Sequence, residues 1–191
     1  HFILDDVSMY GNYSKGLTLE QRAVKRVMDV IISIIAIIIT SPIMLICAIA
    51  IKAEDHGKVI FKQNRVTRNG KIFSVFKFRT MKEDVENYAY VENDDRVTKC
   101  GRVLRKYRID ELPQFLNVLK GDMSLIGPRP VIASENKLNR LRMKNGSLAI
   151  RPGMSGLAQV NGRDAVTISK KASYDGTYAQ TMSLIIDLQI F

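Results

Sequence analysis

Residues 108–113 read RIDELP, with Asp110 and Glu111 side by side and Arg105, Lys106 and Arg108 just before them. Adjacent carboxylates have an ordinary structural use. Asp is a favoured helix N-cap, Glu suits the positive end of a helix, and Pro113 is tolerated in a first turn. They also have a chemical use. A helix start offers free N–H groups and a positive dipole end that attract phosphate. Lys77, Arg79, Arg105 and Arg129 supply further cations. In such a field Asp110 stays ionised and can attack phosphorus once the charge on the phosphate is neutralised. Mg²⁺, with oxygen ligands from a carboxylate and phosphate, would complete that neutralisation. The sequence contains no Walker lysine motif, dinucleotide glycine fingerprint, HExxH or serine nucleophile elbow.

Several elements must hold these residues. VIFKQNRVTRNGKIFSVFKFRTM predicts a β-hairpin, because two Val/Ile/Phe-rich runs flank Asn69-Gly70. Alternation in its second strand puts Lys77 and Arg79 on one face and Phe76 and Phe78 on the other. Residues 81–97 are acidic and polar and read as a surface excursion. Helical character returns from Lys99 through GRVLRKYR and again over FLNVLKG, where Gly121 is a stop signal. Pro128 and Pro130 force an extended connection in DMSLIGPRPV. Residues 133–144, ASENKLNRLRMK, form a basic helix suited to anionic headgroups. IRPGMSGLAQVNGRDA brings Gly153, Gly156 and Gly162 close to Arg151 and Arg163, in turns whose N–H groups could approach phosphate.

The first third is dominated by the apolar run from Val27 to Ile51, long enough to span a bilayer and apolar all round. Two features argue against a simple span. Ser41-Pro42 falls near its middle, where proline removes a backbone donor and predicts a break or kink that the Ser41 hydroxyl can help to satisfy. Cations flank both sides: Arg22, Lys25 and Arg26 before, Lys52, Lys58 and Lys62 after. The positive-inside tendency then places both ends on the cytoplasmic face, so the segment is expected to be re-entrant; a proline-kinked full span is the alternative.

The 191 residues carry a formal net charge of +10, which implies anionic partners without choosing among nucleic acid, acidic lipid and phosphorylated substrates. Cys47 and Cys100 show no paired spacing and His1 and His56 form no metal-ligand pair, so neither a disulfide framework nor a zinc site is indicated. The opening His1 suggests a piece of a longer protein.

KRVMDVIIS before the Ser-Pro-interrupted segment, FKQNRV, FKFRTM, LRKYRIDELPQFLNVLKGDMSLIGPRP and RPGMSGLAQVNGR, in this order, resemble the bacterial sugar transferase family, the monotopic phosphoglycosyl transferases that start glycan assembly. The resemblance runs from about Leu19 to the end of the chain. It implies transfer of a sugar-1-phosphate from a UDP-sugar to polyprenyl (undecaprenyl) phosphate, releasing UMP, as the first membrane step towards exopolysaccharide, capsule, O-antigen or glycoprotein glycan. Asp110 matches the nucleophile that carries the phosphosugar, and Glu111 the adjacent Glu of the acceptor step or metal site. Lys77, Arg79 and Arg105 are expected at phosphates, Pro128, Arg129 and Pro130 near the nucleotide, and Gln159 and Asn161 as further substrate contacts. Asp110 and Glu111 are the expected Mg²⁺ ligands, and Ser41-Pro42 the break of the membrane helix.

The implied architecture is α/β and helix-rich: a re-entrant membrane helix hairpin plus a small cytoplasmic globular domain with a β-hairpin and interfacial amphipathic helices. It divides into an upstream segment 1–20, a membrane helix 21–53 broken at Ser41-Pro42, and a catalytic domain 54–191 facing the cytoplasm at the bacterial inner membrane. The expected partners are UDP-sugar, polyprenyl phosphate and the lipid bilayer; a homo-oligomer is left open. The chain has no Trp, whereas many relatives carry one shortly after the NGR motif, so AVTISKK is given no role. The rival reading is a non-enzymatic, membrane-anchored basic module for nucleic acid or anionic lipid. Scattered cations and few aromatics for base stacking argue against nucleic acid.

Overall fold

The computed structural model describes residues 17–82, 95–162 and 165–190; most of the acidic excursion and Arg163 lie outside them. The first element, α1 (Leu19–Asp55), starts in a capping box in which Thr18 Oγ accepts from Gln21 N at 3.2 Å and Gln21 Oε1 accepts from Thr18 N at 3.0 Å. It ends at His56, whose left-handed φ of 60° turns the chain away.

Of the break or kink expected at Ser41-Pro42, the break is absent: α1 continues through Pro42 as one helix. Pro42 cannot donate to Ile38 O, and the Ser41 hydroxyl donates to that carbonyl instead at 2.8 Å. Thr40 Oγ adds a bond to Ala36 O at 2.7 Å. The hydroxyl expected to help at a break is therefore present, and the helix is not terminated there.

The middle of α1 has little protein around it: Ile38 is 66% and Ile39 69% exposed. Its two ends are held. Near the start, Arg26 donates to Val118 O at 2.6 Å and Leu119 O at 2.9 Å, and Asp29 Oδ1 accepts from Leu125 N at 3.1 Å. Near the end, Cys47 and Ile51 pack on Phe78 and Leu104, the Glu54 carboxylate accepts from Lys99 N and Cys100 N, and Asp55 pairs with Arg79.

The predicted hairpin is present: β1 (Ile60–Val66) and β2 (Ile72–Phe78) are antiparallel, with Phe61 opposite Lys77 and Arg65 opposite Phe73. Asn69 and Gly70 adopt φ of 59° and 73°, the positive values their turn chemistry favours. Helix α2 (Lys99–Tyr107) lies against Thr80 through Gly101, where a Cβ would come 2.1 Å from Thr80 O. A short 3₁₀ turn, Ile109–Glu111, leads to α3 (Gln114–Lys120), which stops at Gly121 with φ 88° as expected.

The sequence did not announce a second, parallel pair: β3 (Ser124–Ile126) beside β4 (Gly153–Ser155). Here Gly127 and Gly153 let two backbones touch, since a Cβ on Gly153 would come 2.1 Å from Gly127 N. Gly153, one of the glycines read from the sequence as a turn, thus stands in a strand contact.

The basic helix α4 (Asn136–Lys144) buries Leu138 and Arg142 in the body beside Val131 and Ala172. The apolar side that an interfacial helix would give to lipid is thus already packed, which corrects that expectation for residues 133–144. The short α5 (Leu157–Val160), then α6 (Ile168–Thr181) and α7 (Leu184–Ile190), complete the described chain. The main core gathers Phe73, Val75, Val118, Met123 and Tyr178 between hairpin, α3 and α6.

Asn117, fully buried at 0% exposure, joins hairpin to α3: its Oδ1 accepts from Phe76 N at 2.9 Å and its Nδ2 donates to Ser74 O at 2.7 Å. Asn117→Ala leaves both strand groups without partners and is expected to cost about 2–4 kcal/mol of unfolding free energy. Urea unfolding followed by circular dichroism measures it; a loss below about 0.5 kcal/mol contradicts the bridging role.

Candidate active site

The RIDELP acids do not cap a helix. Arg108 takes a left-handed φ of 57° and reverses the chain after α2, so that Asp110 and Glu111 fall in the 3₁₀ turn. Helix α3 begins after Pro113 with no side-chain cap. The turn is closed by Glu111 N to Arg108 O and Leu112 N to Ile109 O, both 3.1 Å, and Ile109 anchors it on the cluster beneath the end of α1.

The two carboxylates have different surroundings. Glu111 Oε1 accepts from Lys77 Nζ at 2.9 Å and from Arg129 Nη2 at 2.7 Å. Burial alone would raise its pKa, but Arg129 and Lys77 outweigh burial and hold Glu111 at about 2. Among the described residues no donor hydrogen-bonds the Asp110 carboxylate. Burial is the largest influence on it and raises its pKa; Lys77, Arg105 and Arg108 oppose that rise and Glu111 adds to it, and the net direction is up. One acid is fixed and charged, and its neighbour is a free, more basic carboxylate.

The surrounding cations are placed by the fold. Lys77 projects from β2. Arg105, in the last turn of α2, donates from Nε to Thr80 Oγ at 2.9 Å and acts electrostatically on Asp110. Arg129 sits between buried Pro128 and Pro130, and its carbonyl accepts from Arg142 Nη1 at 3.0 Å. Arg142 is in turn paired with buried Asp175 at 2.7 Å. A chain of contacts thus runs from α6 through α4 and the proline loop to Glu111.

Arg79 is not part of this cluster. Only 7% exposed, it follows the last residue of β2 and ties the hairpin to α1 through Asp55. Asn161 is exposed and donates to Leu157 O at 2.8 Å at the end of α5. Gln159 lines a cleft with Arg129 and Pro130. Arg65, Thr80, Arg142 and Asp175 were given no role from the sequence. For Arg142 the signal was its spacing of four from Leu138, which puts both on the buried side of one helix.

Among the described residues no group of three or more His, Cys, Asp or Glu could hold a metal. The Asp110 and Glu111 carboxylates are the donor type a hard cation such as Mg²⁺ takes, and most of its shell would come from phosphate and water.

The described structure thus sets an apolar helix long enough to cross a bilayer on a small α/β body that carries two carboxylates among cations. The comparisons supply the family: the sequence profile described as bacterial sugar transferase matches residues 20–191, and the chain belongs to that family. It is 42% identical over 176 residues to the UDP-glucose:undecaprenyl-phosphate glucose-1-phosphate transferase of Klebsiella pneumoniae, covering 87% of this chain and 38% of the relative. It is 43% identical over 178 residues to the UDP-N-acetylgalactosamine-undecaprenyl-phosphate N-acetylgalactosaminephosphotransferase of Aeromonas hydrophila, covering 87% and 41%. With the exopolysaccharide production protein ExoY of Sinorhizobium fredii it shares 39% over 184 residues, covering 87% and 81%. The chain thus spans about two-fifths of the length of the first two relatives.

The ion pairs on Glu111 make a pH prediction. Its folded pKa of about 2 lies below the ordinary 4.5, so the stabilisation is complete above 4.5 and is lost as pH falls towards 2. Thermal unfolding of Glu111→Gln between pH 5 and pH 2 should therefore show a shallower acid decline than wild type. Parallel declines would contradict the pairing.

Proposed function

We propose that the chain is the catalytic part of a phosphoglycosyl transferase that moves a sugar-1-phosphate from a UDP-sugar to a polyprenyl phosphate, releasing UMP. The observation that carries the reading is the split between a salt-bridged Glu111 and an unpartnered Asp110 inside a ring of cations. Relatives named as UDP-glucose and UDP-N-acetylgalactosamine transferases support the reaction class without choosing the sugar.

Asp110 attacks the phosphorus that bears the sugar. An Asp110 oxygen forms a bond to phosphorus, the bond to the UMP oxygen breaks, and UMP leaves with that electron pair. A phosphate oxygen of the polyprenyl acceptor then attacks the same phosphorus, forms the diphosphate and frees Asp110. The raised pKa makes Asp110 a better oxygen nucleophile than an exposed aspartate while still leaving it an anion when deprotonated. Lys77 and Arg105 lower the repulsion between carboxylate and phosphate. Arg129, tethered to Glu111, is placed to bind the donor diphosphate. Mg²⁺, held by Asp110 with the outer oxygen of Glu111, would supply charge neutralisation on that diphosphate. Glu111 itself, fixed by two cations, orients Lys77 and Arg129 rather than moving a proton.

Membrane association belongs to the same proposal. The hydrocarbon core is about 30 Å thick, and a straight helix from Arg26 to Asp55 would be about 43 Å long, so a span puts these residues on opposite faces. Yet Arg26 binds α3 carbonyls and Asp55 binds Arg79 at the end of β2, and Asn117 joins α3 to β2. One small body holds both ends of the apolar segment, which supports an α1 that dips into one leaflet and returns. The cationic flanks favour the cytoplasmic face of the inner membrane.

Asp110→Asn is expected to abolish UMP release from UDP-sugars in membranes or nanodiscs, and wild-type kcat/KM to fall on the acid side at a pH above 3.8, the ordinary value for Asp. Undiminished UMP release by Asp110→Asn would remove Asp110 from the nucleophile's role.

A further inference from the structure

In the middle of α1, Thr40 and Ser41 donate their hydroxyls to carbonyls of their own helix, Ala36 O at 2.7 Å and Ile38 O at 2.8 Å. Ser33, earlier in the same helix, does not. It is 0% exposed, and its Oγ has no hydrogen-bond partner among the described residues. A buried hydroxyl that forgoes the carbonyl one turn back is turned towards another group.

Two further buried atoms share this condition. Asp29 precedes Ser33 by one turn, on the same side of α1, and is 3% exposed. Its Oδ1 accepts from Leu125 N at 3.1 Å, while its Oδ2 accepts from nothing among the described residues. Ser124, the residue before Leu125 in β3, is 2% exposed, and its Oγ is likewise without a partner. A carboxylate and two hydroxyls buried where an apolar helix meets the body are costly unless each is bonded. At this spacing the Cβ atoms of Asp29 and Ser33 are about 5–6 Å apart, a separation that two hydrogen bonds through one small molecule span.

Charge decides the kind of molecule. Burial, Arg68 and Arg26 lower the pKa of Arg151, and Asp29 opposes them, so the Asp29 carboxylate already has cations nearby. A divalent cation would meet that positive charge and would find three side-chain oxygens where it takes about six or more. An anion would meet the carboxylate. Water suits both sides: it donates to Asp29 Oδ2 and exchanges a hydrogen bond with each hydroxyl, the roughly three bonds of a typical buried water.

We propose that one internal water joins Asp29 Oδ2, Ser33 Oγ and Ser124 Oγ and binds α1 to β3. Strand β3 runs through Gly127 into the proline loop that carries Arg129. The water is thus a hydrated joint between the apolar helix and the strand that leads to the Glu111 partner.

The test is a crystal structure of the full chain grown from a lipid mesophase, at a resolution that shows ordered water, together with SDS unfolding of micelle-embedded variants. A density peak within hydrogen-bond distance of Asp29 Oδ2 and both hydroxyls is expected. Ser33→Ala and Ser124→Ala should each lower the folding equilibrium constant about tenfold, because the water and its remaining partners lose a bond. A dry site gives the opposite sign: its hydroxyls are unpaired buried groups, and removing one leaves stability unchanged or higher. Unchanged or raised stability in either variant overturns the proposal, as does a direct Asp29–Ser33 hydrogen bond in the crystal. The wild-type crystal decides even where a variant fails to fold. Replacing sodium and potassium by choline should leave the wild-type unfolding midpoint in place; a midpoint that falls assigns the site to a monovalent cation and overturns the water.

Discussion

Glu111 Oε1 receives Lys77 at 2.9 Å and Arg129 at 2.7 Å, one from the hairpin and one from the proline loop. These parts of the chain meet at a single oxygen. Without that carboxylate, the two cations would face each other across a half-buried gap, and the loop would lose its contact with β2. With it, the positive charge is held in place, while among the described residues no donor hydrogen-bonds the neighbouring Asp110. Two acids with the same charge and adjacent positions thus acquire opposite properties, through partners supplied by the tertiary fold.

The same economy appears at the root of α1. Three polar residues near its ends are matched to a backbone or charge in the body: Arg26 to the carbonyls ending α3, Glu54 to the first N–H groups of α2, Asp55 to Arg79. The last two contacts lie on the path to the site, because α2 carries Arg105 and leads into the Asp110 turn. The position of the apolar helix and the geometry of the carboxylates are therefore mechanically linked.

Much of this was legible in the sequence. The hairpin followed from Asn69-Gly70 between apolar runs, the helix stop from Gly121, and the apolar helix from its length and composition. The hydroxyl that serves Ile38 O followed from the Ser-Pro pair. Several readings differ from the structure for physical reasons. Local propensity assigned Asp110 to a helix cap, but the left-handed Arg108 redirected the chain into a tighter turn. Period-two alternation assigned Arg79 to the site, but the strand ended at Phe78 and Asp55 claimed the side chain. The basic helix looked interfacial because its apolar positions have no visible partner until α6 is placed beside it. Long-range partners such as Asp175 for Arg142 leave no mark in local spacing.

The central claim, that the free carboxylate is the nucleophile, is tested most directly by intact-mass and peptide mass spectrometry of the full chain mixed with UDP-sugar and no polyprenyl phosphate. The account predicts a phosphosugar adduct on Asp110 that disappears when acceptor is added, and none in Asp110→Asn. UMP release that requires acceptor in every turnover, with no adduct at Asp110 under any quench, would contradict it.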